Sequence, residues 1–228
     1  MTPTPHPLTD ARHRRVDTAA GPVGLWWYTA PQARPVPGRV LLRHAVEAQY
    51  ERPADTVTLV RDPLGRPALA PEQNLPPLRL TAAHCGPVTV AALIAAPGTG
   101  IRIGIDIEQP ASPPSPNLLR YALGPGERAA LAHRPATVRS AEFLTLWTAK
   151  EAIAKALGWS LLRALVDVEI TLRPRLSLAR LGQDPAPLGW QLLPLHLPGT
   201  PHTVTLVTHH PPSAPRQENA WTSPAEPR

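Results

Sequence analysis

Gly104-Ile105-Asp106-Ile107-Glu108 and, further along, Trp147-Thr148-Ala149-Lys150-Glu151-Ala152-Ile153-Ala154-Lys155 are the stretches that decide the fold. The first reads as a strand. Its isoleucines alternate with other residues, and successive strand side chains point to opposite faces. Ile103, Ile105 and Ile107 therefore form one apolar stripe, while Asp106 and Glu108 share the other face. The second reads as a helix, because Trp147, Glu151 and Lys155 recur at i, i+4 and so form one ridge. Phe143 and Leu144 extend that ridge by a turn, Ile153, Ala154 and Leu157 cover the adjoining face, and Gly158 is a stop signal.

Outward from this pair, β-prone residues predict strands at 23–29, 56–60, 78–82, 88–95 and 101–108, and a helix over 39–50 exposing Arg39, Arg43 and Glu47. Asp62-Pro63-Leu64-Gly65 is a turn leading into Arg66-Pro67-Ala68-Leu69. The turn at 96–100 makes its two flanking strands read as a hairpin. Helices follow at 117–122, 126–133 and 138–157, then strands at 166–172, 189–193 and 202–209. Sheet before and after a central set of helices is an α+β pattern.

The chain has 228 residues, 43% of them hydrophobic, enough for a sizeable core. Its 32 prolines crowd the ends and the middle, which predicts disordered tails over 1–18 and 211–228. Between them lie an N-terminal half, 19–102, and a C-terminal half, 103–210. A single cysteine, Cys85, forms no internal disulfide and reads as a small strand-end residue, in keeping with a reducing cytoplasm. No apolar run reaches the roughly 20 residues of a membrane span. The net charge of +6 favours anionic partners, but the arginines are dispersed and no basic stripe interleaves with aromatics, which argues against nucleic acid.

Paired carboxylates on one strand face repel each other, and a divalent cation between them relieves the repulsion; Mg²⁺ chooses such oxygen ligands. The same pair could equally sit on a solvated sheet face. Glu151 and Lys155 offer a third carboxylate and a movable ammonium. Lys150 and Lys155 are the only lysines among 23 basic residues, and lysine provides a compact charge for a phosphate.

With Glu108 and Glu151 some forty positions apart, these two motifs resemble the 4′-phosphopantetheinyl transferases, specifically the long, pseudo-dimeric type: a G-(I/V)-D-(I/V)-E strand followed by W-x-x-K-E-x-x-x-K and Gly. The resemblance extends over about residues 23 to 175 and implies two similar α/β halves packed as a pseudo-dimer. It implies transfer of 4′-phosphopantetheine from coenzyme A, the co-substrate, to a serine of an apo acyl or peptidyl carrier protein, by a cytoplasmic monomer. Mg²⁺ would be held by Asp106, Glu108 and Glu151. Gly65-Arg66-Pro67 matches a turn whose basic residue contacts coenzyme A, and Leu80-Thr81-Ala82-Ala83-His84 matches a segment whose histidine meets the 3′-phosphate. Arg34 falls in a region whose first arginine meets the adenosine phosphate. Lys150 and Lys155 would contact the coenzyme, and Glu151, Lys155 and Glu127 would share the catalytic work. Ala83 departs from the family's usual serine. Alternatives within reach of the same residues are a metal-dependent phosphohydrolase and a non-catalytic relative that binds coenzyme A or a carrier.

Overall fold

The computed structural model describes residues 8–212 apart from 33, 99, 111, 112 and 186. In chain order its elements are β1 (Arg12–Thr18), β2 (Gly21–Thr29), α1 (Gly38–Tyr50), β3 (Leu59–Arg61), β4 (Pro67–Leu69), β5 (Leu78–Cys85), β6 (Val88–Ala95) and β7 (Arg102–Glu108). Then come α2 (Pro116–Ala122), α3 (Pro125–Ala132), α4 (Ala136–Leu157), α5 (Leu161–Asp167), β8 (Val168–Thr171), β9 (Ser177–Leu181), β10 (Trp190–Leu195) and β11 (Thr203–His209). The α+β reading holds. Among the described residues, no helix is long and apolar enough to cross a membrane.

Two antiparallel sheets organise the molecule, one in the order β1-β2-β6-β5 and one in the order β10-β11-β7. Alternation along β6 shows how the layers form. Val90, Ala92 and Ile94 face the second sheet, where they meet Ile103, Ile105, Ile107, Val204 and Leu206. Ala91 and Leu93 face the other way and pack with Leu41, Leu42, Ala45 and Val46 of α1. On the far side of the second sheet, Val207 and Leu192 pack with Leu146, Ala149 and Ile153 of α4. Each fully buried aliphatic side chain contributes about 1.5–3 kcal/mol. The layers are thus helix, sheet, sheet, helix. The two sheets run alongside each other at β5 and β7, where the Ile105 amide donates to Thr81 Oγ1 at 3.2 Å.

Three expectations are corrected. The strands flanking the 96–100 turn are not a hairpin: β6 pairs with β2 and β5, whereas β7 crosses to the other sheet and pairs with β11. The hairpin is β5–β6, turning at Gly86, whose φ of 54° suits a residue without Cβ. Residues 12–18, expected in a tail, form β1, laddered to β2 along their whole length. Its outward arginines do not oppose this, since an edge strand needs only its backbone ladder and one covered face. The tail expectations for 1–7 and 213–228 lie outside the described residues. Finally, the strand expected over 166–172 begins only at Val168, because 166–167 close α5, a helix started by Ser160, whose Oγ accepts from the Arg163 amide at 3.3 Å.

One glycine sets the distance between sheet and helix. A Cβ on Gly104 would stand 1.9 Å from the Ala152 carbonyl oxygen and 3.0 Å from the Ala156 amide nitrogen, both backbone atoms. α4 therefore lies directly on β7. A further tie comes from Thr148 Oγ1 of α4, 2.7 Å from Thr205 Oγ1 of β11.

Candidate metal and phosphate site

Because α4 rests on Gly104, the next residues on the same strand face, Asp106 and Glu108, project beside the helix. Glu151 and Lys155 are the helix residues that meet them. One oxygen from each of Asp106, Glu108 and Glu151 lies within 4.8 Å of the others. Lys155 Nζ donates to Asp106 Oδ1 at 2.6 Å. Asp106 is 3% exposed, and its Oδ2 is buried with no hydrogen-bond partner.

Electrostatics match this crowding. Burial pushes the Asp106 carboxyl up to about 7, the Lys155 ammonium opposes the rise, and the charges of Glu151 and Glu108 add to it. Burial also raises Glu151, with Lys155 opposing, Glu108 adding and the Trp147 side chain lowering it through a hydrogen bond. Three carboxylates with one counter-cation and an orphaned buried oxygen form a set that a hard divalent ion would complete. The residues present therefore fit Mg²⁺.

Lys155 also borders a cavity of about 630 Å³ lined by α1, the β3–β4 hairpin, β5 and the last turn of α4. Arg39, Arg43, Arg61 and Arg66 line it too. Gly158 closes α4 in the left-handed conformation, φ 68°, and a Cβ there would stand 2.5 Å from Leu64 Cβ, so the hairpin turn seats against the helix end. Arg66 fastens that contact. Its Nη1 donates to the Ala156 carbonyl at 2.9 Å, and its Nε and Nη2 meet Asp62 Oδ2 at 2.8 and 2.7 Å. Burial would raise Asp62, yet the Arg66 bonds and charge hold its carboxyl below the usual range. The cleft is strongly cationic, which favours a polyanionic ligand.

The expected site residues thus divide. Asp106, Glu108, Glu151 and Lys155 come together, and Arg66 lies in the adjoining cleft. His84, at the exposed end of β5, and Arg34, exposed ahead of α1, are not among the cleft's lining residues. Glu127 and Lys150 are withdrawn altogether. Their side chains are fully buried and joined at 2.7 Å. Glu127 further accepts from the amides of Gly124 at 2.7 Å and Ile170 at 2.9 Å, while Lys150 donates to the Ala122 carbonyl at 3.1 Å. That pair ties α2, α3 and β8 to α4, and neither residue is among those that form the carboxylate cluster or line the cleft. Arg39, Arg43 and Arg61 were not named as ligand contacts by the sequence; their signal was the one-turn spacing of Arg39 and Arg43 on α1. Cys85, half-buried, has its thiol raised by burial and by Glu108, 3.4 Å away, which does not suit a nucleophile.

Comparison with known proteins agrees with this geometry. Residues 102–207, which hold every carboxylate of the cluster, match the model of the 4′-phosphopantetheinyl transferase superfamily. The chain is also 29% identical over 121 residues to a protein of Bacillus pumilus named 4′-phosphopantetheinyl transferase psf-1, an alignment covering 53% of this chain and 48% of that one. The chain thus spans about half the length of the curated relative it matches.

Proposed function

We propose that the chain, whose residues 102–207 match the model of the 4′-phosphopantetheinyl transferase superfamily, is a member of that superfamily and moves the 4′-phosphopantetheine of coenzyme A onto a serine of an apo acyl or peptidyl carrier protein. The observation that carries the reading is the convergence of Asp106, Glu108 and Glu151 beside a cationic cleft that shares Lys155 with them.

Asp106, Glu108 and Glu151 would hold Mg²⁺, which would supply neutralisation of negative charge on a bound phosphate. Arg39, Arg43 and Arg61 attract the nucleotide's phosphates into the cleft, and Arg66 braces its wall. The carrier serine's Oγ attacks the phosphorus bearing the pantetheine, and the bond from that phosphorus to the bridging oxygen breaks. Adenosine 3′,5′-bisphosphate leaves with the electron pair. Lys155, released from Asp106, offsets the charge on that leaving group. Of the three residues expected to share the catalytic work, Glu127 exposes no side-chain surface, so the serine's proton passes to Glu151 or Lys155. Residues 19–102 and 103–210 are read as the two halves of a pseudo-dimer, each a sheet backed by one long helix, in a monomeric cytoplasmic protein.

Incubation with coenzyme A, Mg²⁺ and each of several apo carriers, followed by mass spectrometry, should add phosphopantetheine to at least one carrier. Glu151→Gln should reduce that transfer by about a hundredfold or more. Hydrolysis of coenzyme A without a carrier, and no addition to any carrier, would replace the reading with a phosphohydrolase.

A further inference from the structure

Two buried hydroxyls join the helix to the second sheet, outside both the carboxylate cluster and the cationic cleft. Thr205 of β11 is the register partner of Asp106. Directly opposite residues of an antiparallel pair project from one face, so the Thr205 side chain stands beside the Asp106 carboxylate, towards α4. There its Oγ1 lies 2.7 Å from Thr148 Oγ1, and both residues are fully buried. Thr148 Oγ1 is also 2.9 Å from the Leu144 carbonyl. A carbonyl only accepts, so Thr148 donates within its own helix and Thr205 donates across the gap.

Thr148 precedes Ala152 by one turn and Glu151 by three positions, so the three share a face of α4. Ala152 is where the helix backbone rests on Gly104. The helix thus has two mounts on the sheet, a backbone contact at Ala152 and a hydroxyl contact at Thr148, with Glu151 between them. A methyl in place of the Thr205 hydroxyl would stand off at about 3.4 Å, against 2.7 Å for the bonded oxygens. Lifting that mount by about 0.7 Å, over the roughly 6 Å that one turn rises, tilts the helix by about 7°. Carried to the tip of the Glu151 side chain, the tilt moves the carboxylate away from Asp106 by about half an ångström, comparable to the difference between Mg²⁺–oxygen and Ca²⁺–oxygen bonds. We propose that Thr205 is a positioning residue that sets the spacing of the three carboxylates and, through it, their preference for a small divalent ion over a larger one. Its hydroxyl is taken up by Thr148, so it acts through α4 rather than as a ligand. The assignment rests on the reading of Asp106, Glu108 and Glu151 as metal ligands.

Thr205→Val keeps the shape of the side chain and removes the donor, while Thr148 keeps its bond to Leu144. Calorimetric titration of the full chain with Mg²⁺ and with Ca²⁺, without coenzyme and at pH 8.5, reads the effect. Thr205→Val should bind Mg²⁺ about tenfold more weakly and Ca²⁺ within about twofold of the parent, so the ratio of the two affinities shifts by about tenfold. Thr205→Ser restores the donor and should return both affinities to within about twofold of the parent. Thr148→Val puts the methyl on the other side of the contact and should shift the ratio as Thr205→Val does. An unchanged ratio in both valine variants would overturn the proposal even if Tm fell, because a tie that only stabilises the fold leaves selectivity alone. A Thr205→Ser variant that behaved like Thr205→Val would overturn it as well. If the unaltered protein bound neither ion, the metal-ligand reading would fall first, and this one with it.

Discussion

Replacing Lys155 with methionine should strengthen divalent-metal binding in the absence of coenzyme, even as it abolishes transfer. In the metal-free protein the ammonium at 2.6 Å from Asp106 Oδ1 occupies the place of a counter-ion. At an effective dielectric of about 20 that contact amounts to about 6 kcal/mol of bare Coulomb energy. The Lys155 side chain is 33% exposed, so solvent screening removes most of it. A net competition of about 1–2 kcal/mol remains, and its removal tightens metal binding about 5- to 30-fold. The gain depends on pH. Asp106, already pushed up to about 7 by burial, rises further without the ammonium that opposes the shift, so below neutrality protons take the vacated oxygen instead. Titration with Mn²⁺ or Mg²⁺ by calorimetry at pH 8.5 and pH 6 measures both effects. A Lys155→Met variant that binds metal no more tightly than the parent at pH 8.5 would refute the competition.

Asp106→Asn should stabilise the metal-free protein while eliminating transfer. A carboxyl raised from 3.8 to about 7 stabilises fully below its unfolded value and loses that contribution as pH climbs through 7. Stability without metal therefore falls as pH rises from about 4 to about 7 and levels off above that, and the amide should recover about 2–3 kcal/mol at pH 8, or roughly 5 °C or more in Tm. A lower Tm for the variant at pH 8 would count against this. Lys150→Met should cost about 3–5 kcal/mol by leaving Glu127 charged and unpaired in the core, whereas Lys150→Met combined with Glu127→Leu should cost clearly less than the two single changes added together. Chemical denaturation of the three variants gives the comparison, and strict additivity would mean the two residues do not act as a pair.

Much of the site was legible because two regular periods meet there. Alternation on β7 puts Asp106 and Glu108 on one face, and the four-residue step on α4 puts Glu151 beside Lys155; both readings are local. The same logic does not reach Lys150, whose rarity was its only signal. Two lysines five positions apart looked like one ligand set, but five helical residues turn about 140°, so one lysine faces the sheet's carboxylates and the other the interior. The burial of Glu127 was not legible because a helix-start carboxylate and a catalytic one look alike in sequence, and only tertiary packing brings Ile170 and Lys150 onto it. The crossing of β7 between sheets was invisible for the same reason, since a Pro-Gly turn signals a change of direction and says nothing of which neighbour the next strand takes. β1 was hidden by composition, its arginines outweighing an edge strand's modest requirements.

Gly104 gives the site a tolerance of its own. Where strand and helix touch backbone to backbone, no side chain acts as the spacer between them, and no rotamer can change the gap. Substitutions elsewhere in the aliphatic core can then loosen the molecule without retuning the separation of Asp106 from Glu151. Anyone grafting the three carboxylates onto another scaffold would have to transplant the glycine with them, for it serves as the ruler by which the acids are measured out.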